Sequence, residues 1–150
     1  RIFFGRRFGT NISDTLKAFL ADEPQQNTTW ATNLAMLRLW NDPSNRLSHI
    51  EGGTSINSRR ALVMADGSTH EVPVGTQLPQ RLLSRGTLLV EPLHQVHDAL
   101  CGQWPQFVRE WGRKKVREWF QNPLTIASTT LTIPFDGAYG PSWGEQPNPL

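Results

Sequence analysis

Apolar side chains recur at helical spacing in four stretches of the chain. Ile12, Leu16, Phe19 and Leu20 follow Asn11 and Ser13, either of which can cap a short helix, and Asp22-Glu23-Pro24 closes it. Trp30, Leu34, Leu37 and Trp40 then line one face of a second helix starting near Thr28 or Thr29, with Met36 and Leu39 widening that face. Asn41-Asp42-Pro43 ends it, because a residue before proline is pushed out of the helical region. The two helices form a hairpin in the simplest reading. Leu93, Val96, Leu100 and Trp104 are also in phase, which predicts a helix from Leu93 to Gly102. Pro105 breaks that run and opens the last helix, which reaches Gln121 before Asn122-Pro123 stops it.

Strand signals are fewer. Arg60-Ala61-Leu62-Val63-Met64-Ala65 and Ser68 to Val74 flank Asp66-Gly67, a pair that supplies the positive φ of a two-residue hairpin turn. Pro73 cannot donate to a ladder, so the second strand sits at an edge or ends there. Thr87 to Val90 adds a third strand, and a helical turn runs from Gln77 through Leu83 to a stop at Gly86. Leu124 to Ile133 is rich in threonine and β-branched residues and predicts one strand. Its apolar side changes midway, from Leu124 and Ile126 to Leu131 and Ile133, which calls for a bulge or a change of environment. Residues 44–57 are polar around Gly52-Gly53 and read as a loop. The order is not a βαβ alternation. It predicts an α+β fold of short helices packed on a small, mainly antiparallel sheet. An extended basic arm over residues 1–10 and an extended Pro/Gly-rich arm over residues 134–150 flank a single domain at residues 11–133.

Composition changes this picture in three places. The 150 residues, 37% hydrophobic and 19% charged, are enough for one globular domain. Six tryptophans exceed ordinary usage, and tryptophan anchors both cores and interfaces. A formal net charge of only +2 is less than a protein living on phosphate contacts usually carries. The single cysteine, Cys101, excludes an intramolecular disulfide. No apolar run approaches the ~20 residues of a transmembrane helix. The opening stretch carries Arg1, Arg6 and Arg7 and has no acidic residue before Asp14, a composition expected beside the cut end of a mitochondrial presequence.

Candidate chemistry is sparse. His94, His97, Asp98 and Cys101 form H-x-x-H-D-x-x-C, and on a helix His94, Asp98 and Cys101 would share a face. All four are zinc-ligand types, yet one straight helix rarely supplies a tetrahedral set, and no second cluster completes this one. Cys101 paired with a histidine would make a thiol nucleophile, but mid-helix placement does nothing to lower its pKa. The glycines at 52 and 53 lack the lysine and the strand-to-helix setting of a phosphate loop, and no G-x-S-x-G is present. The site checklist stays unfilled, which points to a non-catalytic chain without a cofactor.

The last helix carries Arg109, Arg113 and Arg117 along one stripe, with Lys114 and Lys115 nearby. Trp104, Val108, Trp111 and Trp119 lie opposite, flanked by Phe107, Val116 and Phe120, while Glu110 and Glu118 dilute the basic side. The stripe suits solvent, an acidic protein or anionic membrane surface, or RNA phosphates. The expected role is an accessory, structural subunit of a large mitochondrial complex, with an energy-transducing membrane complex favoured. Its protein contacts fall on Phe3, Phe4, Arg6, Arg7, Arg109, Arg113, Arg117, Phe135, Tyr139 and Trp143. An rRNA-contacting protein of an organellar ribosome is the first alternative. A small metal- or thiol-dependent enzyme using His94, His97, Asp98 and Cys101 is the second.

Overall fold

The computed structural model describes residues 28–150, apart from His97, Asn122, Ala127 and Trp143 and the side chains of Leu124, Ile126 and Leu131. The predicted helix at residues 12–20 and the basic arm at residues 1–10 therefore lie outside the described residues. From residue 28 onward the chain is mixed α+β, as its pattern predicts. Helix α1 is seen over residues 28–41, where Ala31, Leu34, Ala35, Met36, Leu37, Arg38 and Leu39 supply strong helix formers. It stops where predicted. Asp42 is extended (φ −70°, ψ 114°) ahead of Pro43, and its carboxylate caps a single 3-10 turn at Pro43–Asn45.

Strands β1 (Leu47–Gly52), β2 (Arg60–Met64) and β3 (Thr69–Val72) make one antiparallel sheet in that order. The predicted hairpin over Asp66-Gly67 is β2–β3, with β3 at the edge and Pro73 just past its end. Its turn is longer than the two residues expected. Met64 donates to the Ser68 carbonyl, leaving three residues in the loop, with Gly67 at φ 85°. Strand β1 corrects the loop expected at residues 44–57. Its alternation is broken by a bulge between Leu47 and His49, so no clean period marks it in the sequence.

Two other expectations give way to hairpins. The helix predicted at Leu93–Gly102 is instead a two-stranded ribbon, β4 (Glu91–Val96) against β5 (Ala99–Gln103). The single strand predicted at Leu124–Ile133 is two, β6 (Pro123–Ile126) and β7 (Thr129–Thr132). The midway change of apolar side that called for a bulge marks a reversal of the chain, with Ser128 at φ 70° in the turn. The third strand expected at Thr87–Val90 is only a bridge from Leu88 to Arg46. A 3-10 helix at Gln80–Leu83 precedes it, and Gly86 sits at φ 79°, as the stop signal requires.

Helix α2 (Arg109–Phe120), led in by a 3-10 turn at Gln106–Val108, is shared with that turn between two core clusters. One core cluster joins Leu47, Leu62, Met64 and Val72 of the sheet to Leu82, Leu89 and Val108. A second joins Ala35 and Leu39 of α1 to Val90, Val116 and Trp119. Trp104 and Trp111 touch both clusters. Gly112 is buried directly beneath the Trp104 indole, where an added Cβ would meet ring carbon at 3.3 Å. The residues after β7 do not stay free. Strands β8 (Ala138–Tyr139) and β9 (Asn148–Pro149) pair, Phe135 stacks on Phe120 at 4.7 Å, and Leu150 reaches the second cluster.

One half-buried titratable group sits at the sheet–helix seam. His70 of β3 packs edge-on against Trp111 of α2, 4.8 Å between centroids, and its Nε2 is buried without a hydrogen-bond partner among the described residues. Burial pushes its pKa below the ordinary 6.5, against a weaker opposing pull from Asp66. The unfolded chain then takes up this proton before the folded one does. Stability therefore falls as the pH drops below about 6.5 and levels off beneath the folded-state value. The urea midpoint should decline from about pH 7 to about pH 5 in the wild type and decline less in His70→Gln. Equal slopes in the two proteins would show that His70 carries none of it.

Candidate docking surface

Helix α1 buries the side that the sequence does not favour. Ala31, Ala35 and Leu39 are its core residues, with Thr32 beside them. Ala35 and Leu39 pack there with Leu88, Val90, Val116 and Trp119. The face predicted to carry Trp30, Leu34, Leu37 and Trp40 is turned largely outward, with Leu34 partly buried, while Leu39, expected to widen it, is in the core. Trp30, Leu37 and Trp40 are 49%, 56% and 54% exposed. Each large apolar side chain kept half in water forgoes roughly 1 kcal/mol of the burial free energy open to it.

The β4–β5 ribbon lies against the same helix. Gln95 Nε2 donates to Asn33 Oδ1 at 2.8 Å, and Thr32 Oγ1 donates to the Asp98 carbonyl at 2.7 Å. Leu100 packs into the second core. Alternation along the strands puts Gln95 and Leu100, a directly opposed pair, on the inner side. His94, Val96, Ala99 and Cys101 then share the outer side. Leu93, at the bulge between Pro92 and His94, is also exposed, as is Val96. The ribbon is thus a strip pinned at its tip and on its inner face, with apolar side chains left on its solvent side.

This rearrangement dissolves the helical H-x-x-H-D-x-x-C face. His94 and Cys101 come opposite one another across the ribbon, Asp98 sits at the turn, and His97 is outside the described residues. Among the described residues no group of three or more His, Cys, Asp or Glu is placed to hold a metal ion. Burial pushes the Cys101 thiol pKa up, more strongly than its hydrogen bond with the Gly102 backbone brings it down. It is held as a thiol at neutral pH, the opposite of nucleophile activation.

The basic stripe of α2 is largely occupied within the chain. Arg109 and Arg113 flank Glu110 at 3.0 and 3.3 Å, and Lys114 lies 3.9 Å from Glu118. Lys115 reaches Asp42 at 3.1 Å and Glu118 at 3.4 Å. Arg113 also donates to the Pro149 carbonyl and lies over the Tyr139 ring, 5.1 Å from its centroid. Of these five cations, only Arg117 shows no ion pair among the described residues. Tyr139 meets Trp104 as well, and Phe135 stacks on Phe120, so the C-terminal segment uses its aromatic residues on its own domain. Of the remaining predicted contacts, Phe3, Phe4, Arg6, Arg7 and Trp143 lie outside the described residues.

The outward ridge of α1 and the outer side of the ribbon were missed by sequence reasoning. A signal existed for the first: α1 has apolar residues at more phases than one core face needs. For the ribbon there is none, because Leu93, Val96, Leu100 and Trp104 recur at a helical period. Among the described residues no helix is long and apolar enough to cross a membrane. No protein-family model matches the chain, and no curated protein or solved structure matches it at a significant level.

Proposed function

We propose that the chain is a non-catalytic subunit that takes its place in a multiprotein assembly through apolar surface held outward by a rigid frame. The observation that carries this reading is the β4–β5 ribbon, which is fixed to α1 and to the core yet keeps Leu93 and Val96 in solvent. Scattered exposed leucines are ordinary. Two on one pinned ribbon, beside a helix with three more half-exposed apolar side chains, make a surface of the kind that marks protein contacts. A mitochondrial, energy-transducing assembly is the form of the proposal supported by the arginine-rich, acid-free composition of residues 1–13 and the small net charge.

Leu93→Asp/Val96→Asp tests it. The wild type should migrate from its native source in a particle far larger than its own 16.9 kDa. The double variant should be released from that particle while its thermal midpoint stays within about 2 °C of wild type, since surface substitutions usually change stability little. A wild type that runs alone at the mass of one chain rules out the assembly. Release that comes only with loss of folding removes the ribbon as the contact.

A further inference from the structure

We propose that the Arg113–Phe120 face of α2 is a second docking face, filled in this structure by residues 134–150 as a stand-in. Its ligand is an acidic, aromatic segment of another protein. The face is separate from the ribbon and from α1, so the assembly proposal stands or falls without it.

Gly112 lets the Trp104 indole lie against α2, and Arg113 follows it in the helix. Arg117 and Phe120 come four and seven residues after Arg113, which puts all three on one side of the helix. The C-terminal segment lies along that side in extended form. From Pro134 to Gly140 its residues alternate, with Phe135, Gly137 and Tyr139 half-buried and their neighbours exposed. Phe135 stacks on Phe120, while Tyr139 lies between Trp104, 6.2 Å between centroids, and the Arg113 guanidinium. Phe120 and Arg113 are about 10 Å apart along the helix, and Phe135 and Tyr139 about 13 Å apart along an extended chain. An extended polypeptide with aromatic residues four apart thus matches the face.

Two observations mark this occupant as separable and imperfect. No described residue from 134 to 150 is buried, and every buried member of the second cluster lies at or before Trp119. Lifting the segment uncovers the cluster without removing any of its buried members. The other observation is charge. From the segment Arg113 receives only the neutral Pro149 carbonyl at 3.4 Å and the face of Tyr139. Its Nε is buried without a hydrogen-bond partner among the described residues. The one carboxylate it meets, Glu110, is 70% exposed and shared with Arg109. Asp136 of the segment accepts from the Gly137 N–H and forms no ion pair with Arg113 or Arg117 among the described residues. A guanidinium takes a carboxylate through two parallel N–H bonds. A segment that offers one beside Tyr139 would satisfy Nε and Nη2 together, which the Pro149 carbonyl does not. Phosphate would suit the two arginines equally, but the aromatic contacts along an extended chain favour a polypeptide.

The test uses the full chain and a labelled synthetic peptide of residues 134–150, made with and without Pro149→Asp. Phe135→Ala/Tyr139→Ala in the full chain loosens its own segment. The loosened chain should bind the Pro149→Asp peptide at least about tenfold more tightly than wild type does, because the tethered segment of wild type competes at high effective concentration. It should prefer that peptide over the unaltered one by about fivefold or more, and Arg113→Gln should abolish the preference. Equal binding by loosened and wild-type chains, or binding by neither, overturns the docking face. Equal binding of the two peptides overturns its acidic ligand. Tighter binding of oligouridylate than of either peptide gives the face to nucleic acid and overturns the proposal too. A further measurement needs no loosened chain. Pro149→Asp in the otherwise native protein should raise the thermal midpoint by about 2 °C at low salt, a gain that Arg113→Gln removes. No gain overturns the preference for a carboxylate. Release of Leu93→Asp/Val96→Asp from the native particle is read separately, so a failure here leaves the ribbon contact untouched.

Discussion

Asn45→Ala should destabilise the protein by about 3–4 kcal/mol, lowering the urea midpoint by roughly 2 M. Asn45 is fully buried, and every hydrogen-bonding atom of its amide is used. Nδ2 donates to the carbonyls of Leu39 (3.1 Å) and Val90 (3.0 Å), and Oδ1 accepts from the Val90 N–H at 2.7 Å. Its own backbone carbonyl takes the Leu89 N–H at 2.8 Å. The side chain thus stands in for the ladder that the segment Leu88–Val90 never forms, and it closes the exposed end of α1. Alanine would leave two carbonyls and one N–H buried without partners, each worth ~1–3 kcal/mol but not simply additive, together with a small cavity. Asn45→Leu should be no kinder, since it fills the volume and leaves the same three backbone groups unpaired. For a domain whose total stability is of order 5–15 kcal/mol this is a large share. A loss below about 1 kcal/mol would mean that water takes over the amide's three bonds.

Asp42→Ala should cost about 2–3 kcal/mol, with a signature in acid that Asn45→Ala lacks. The Asp42 carboxylate accepts from the Ser44 N–H and Oγ, from the indole Nε1 of Trp119 at 2.9 Å, and from Lys115 Nζ at 3.1 Å. One side chain at the end of α1 therefore caps the next turn and fastens α2. Removing it loses a cap and takes away the carboxylate to which the indole N–H of a buried tryptophan donates. Burial alone would raise the carboxyl pKa, but the hydrogen bonds from Ser44, Trp119 and Lys115 outweigh it and hold the value below the ordinary 3.8. The unfolded chain then binds the proton at higher pH than the folded one. The contribution of Asp42 is complete above about pH 4 and drains away as the pH falls through the folded-state value. Wild type should lose stability steeply in that window and Asp42→Ala should lose less, while Asp42→Asn, which keeps an acceptor oxygen, should fall between them at neutral pH. Thermal midpoints at about pH 7 and about pH 3, followed by tryptophan emission, decide the matter. Identical acid slopes would separate Asp42 from the acid transition.

How far the fold was legible follows from what each element depends on. Helices α1 and α2 and the β2–β3 hairpin were readable because caps, prolines and an Asp-Gly turn lie within them. The β4–β5 ribbon was not. Leu93, Val96, Leu100 and Trp104 match a helix, and the ribbon's anchors Thr32 and Asn33 lie more than sixty residues away in sequence. The stretch from Leu124 to Ile133 carried strand residues but no Gly or Asn to mark its turn, and Ser128 takes positive φ instead. Strand β1 offered a broken period. On α1 the large residues Trp30, Leu37 and Trp40 stay half-exposed while Ala31, Ala35 and Leu39 fill the core, a choice that depends on packing partners distant in sequence. The docking surface was hidden for the same reasons: it consists of what the core left out. Asn45 and Asp42 look in sequence like ordinary turn residues. Their importance comes from Val90 and Trp119, 45 and 77 residues further on.

The sharing of α2 between two cores also has a consequence in time. A chain grows from its N-terminus, and domains generally fold as they complete. Here the sheet cluster waits for Val108, and the α1 cluster waits for Val116 and Trp119. The first hundred residues supply Leu78, Leu82 and Leu89 to the sheet and Leu88 and Val90 to α1, but neither cluster is complete without the later residues. Both clusters therefore stay incomplete in the nascent chain until the stretch from Val108 to Trp119 emerges and closes them together.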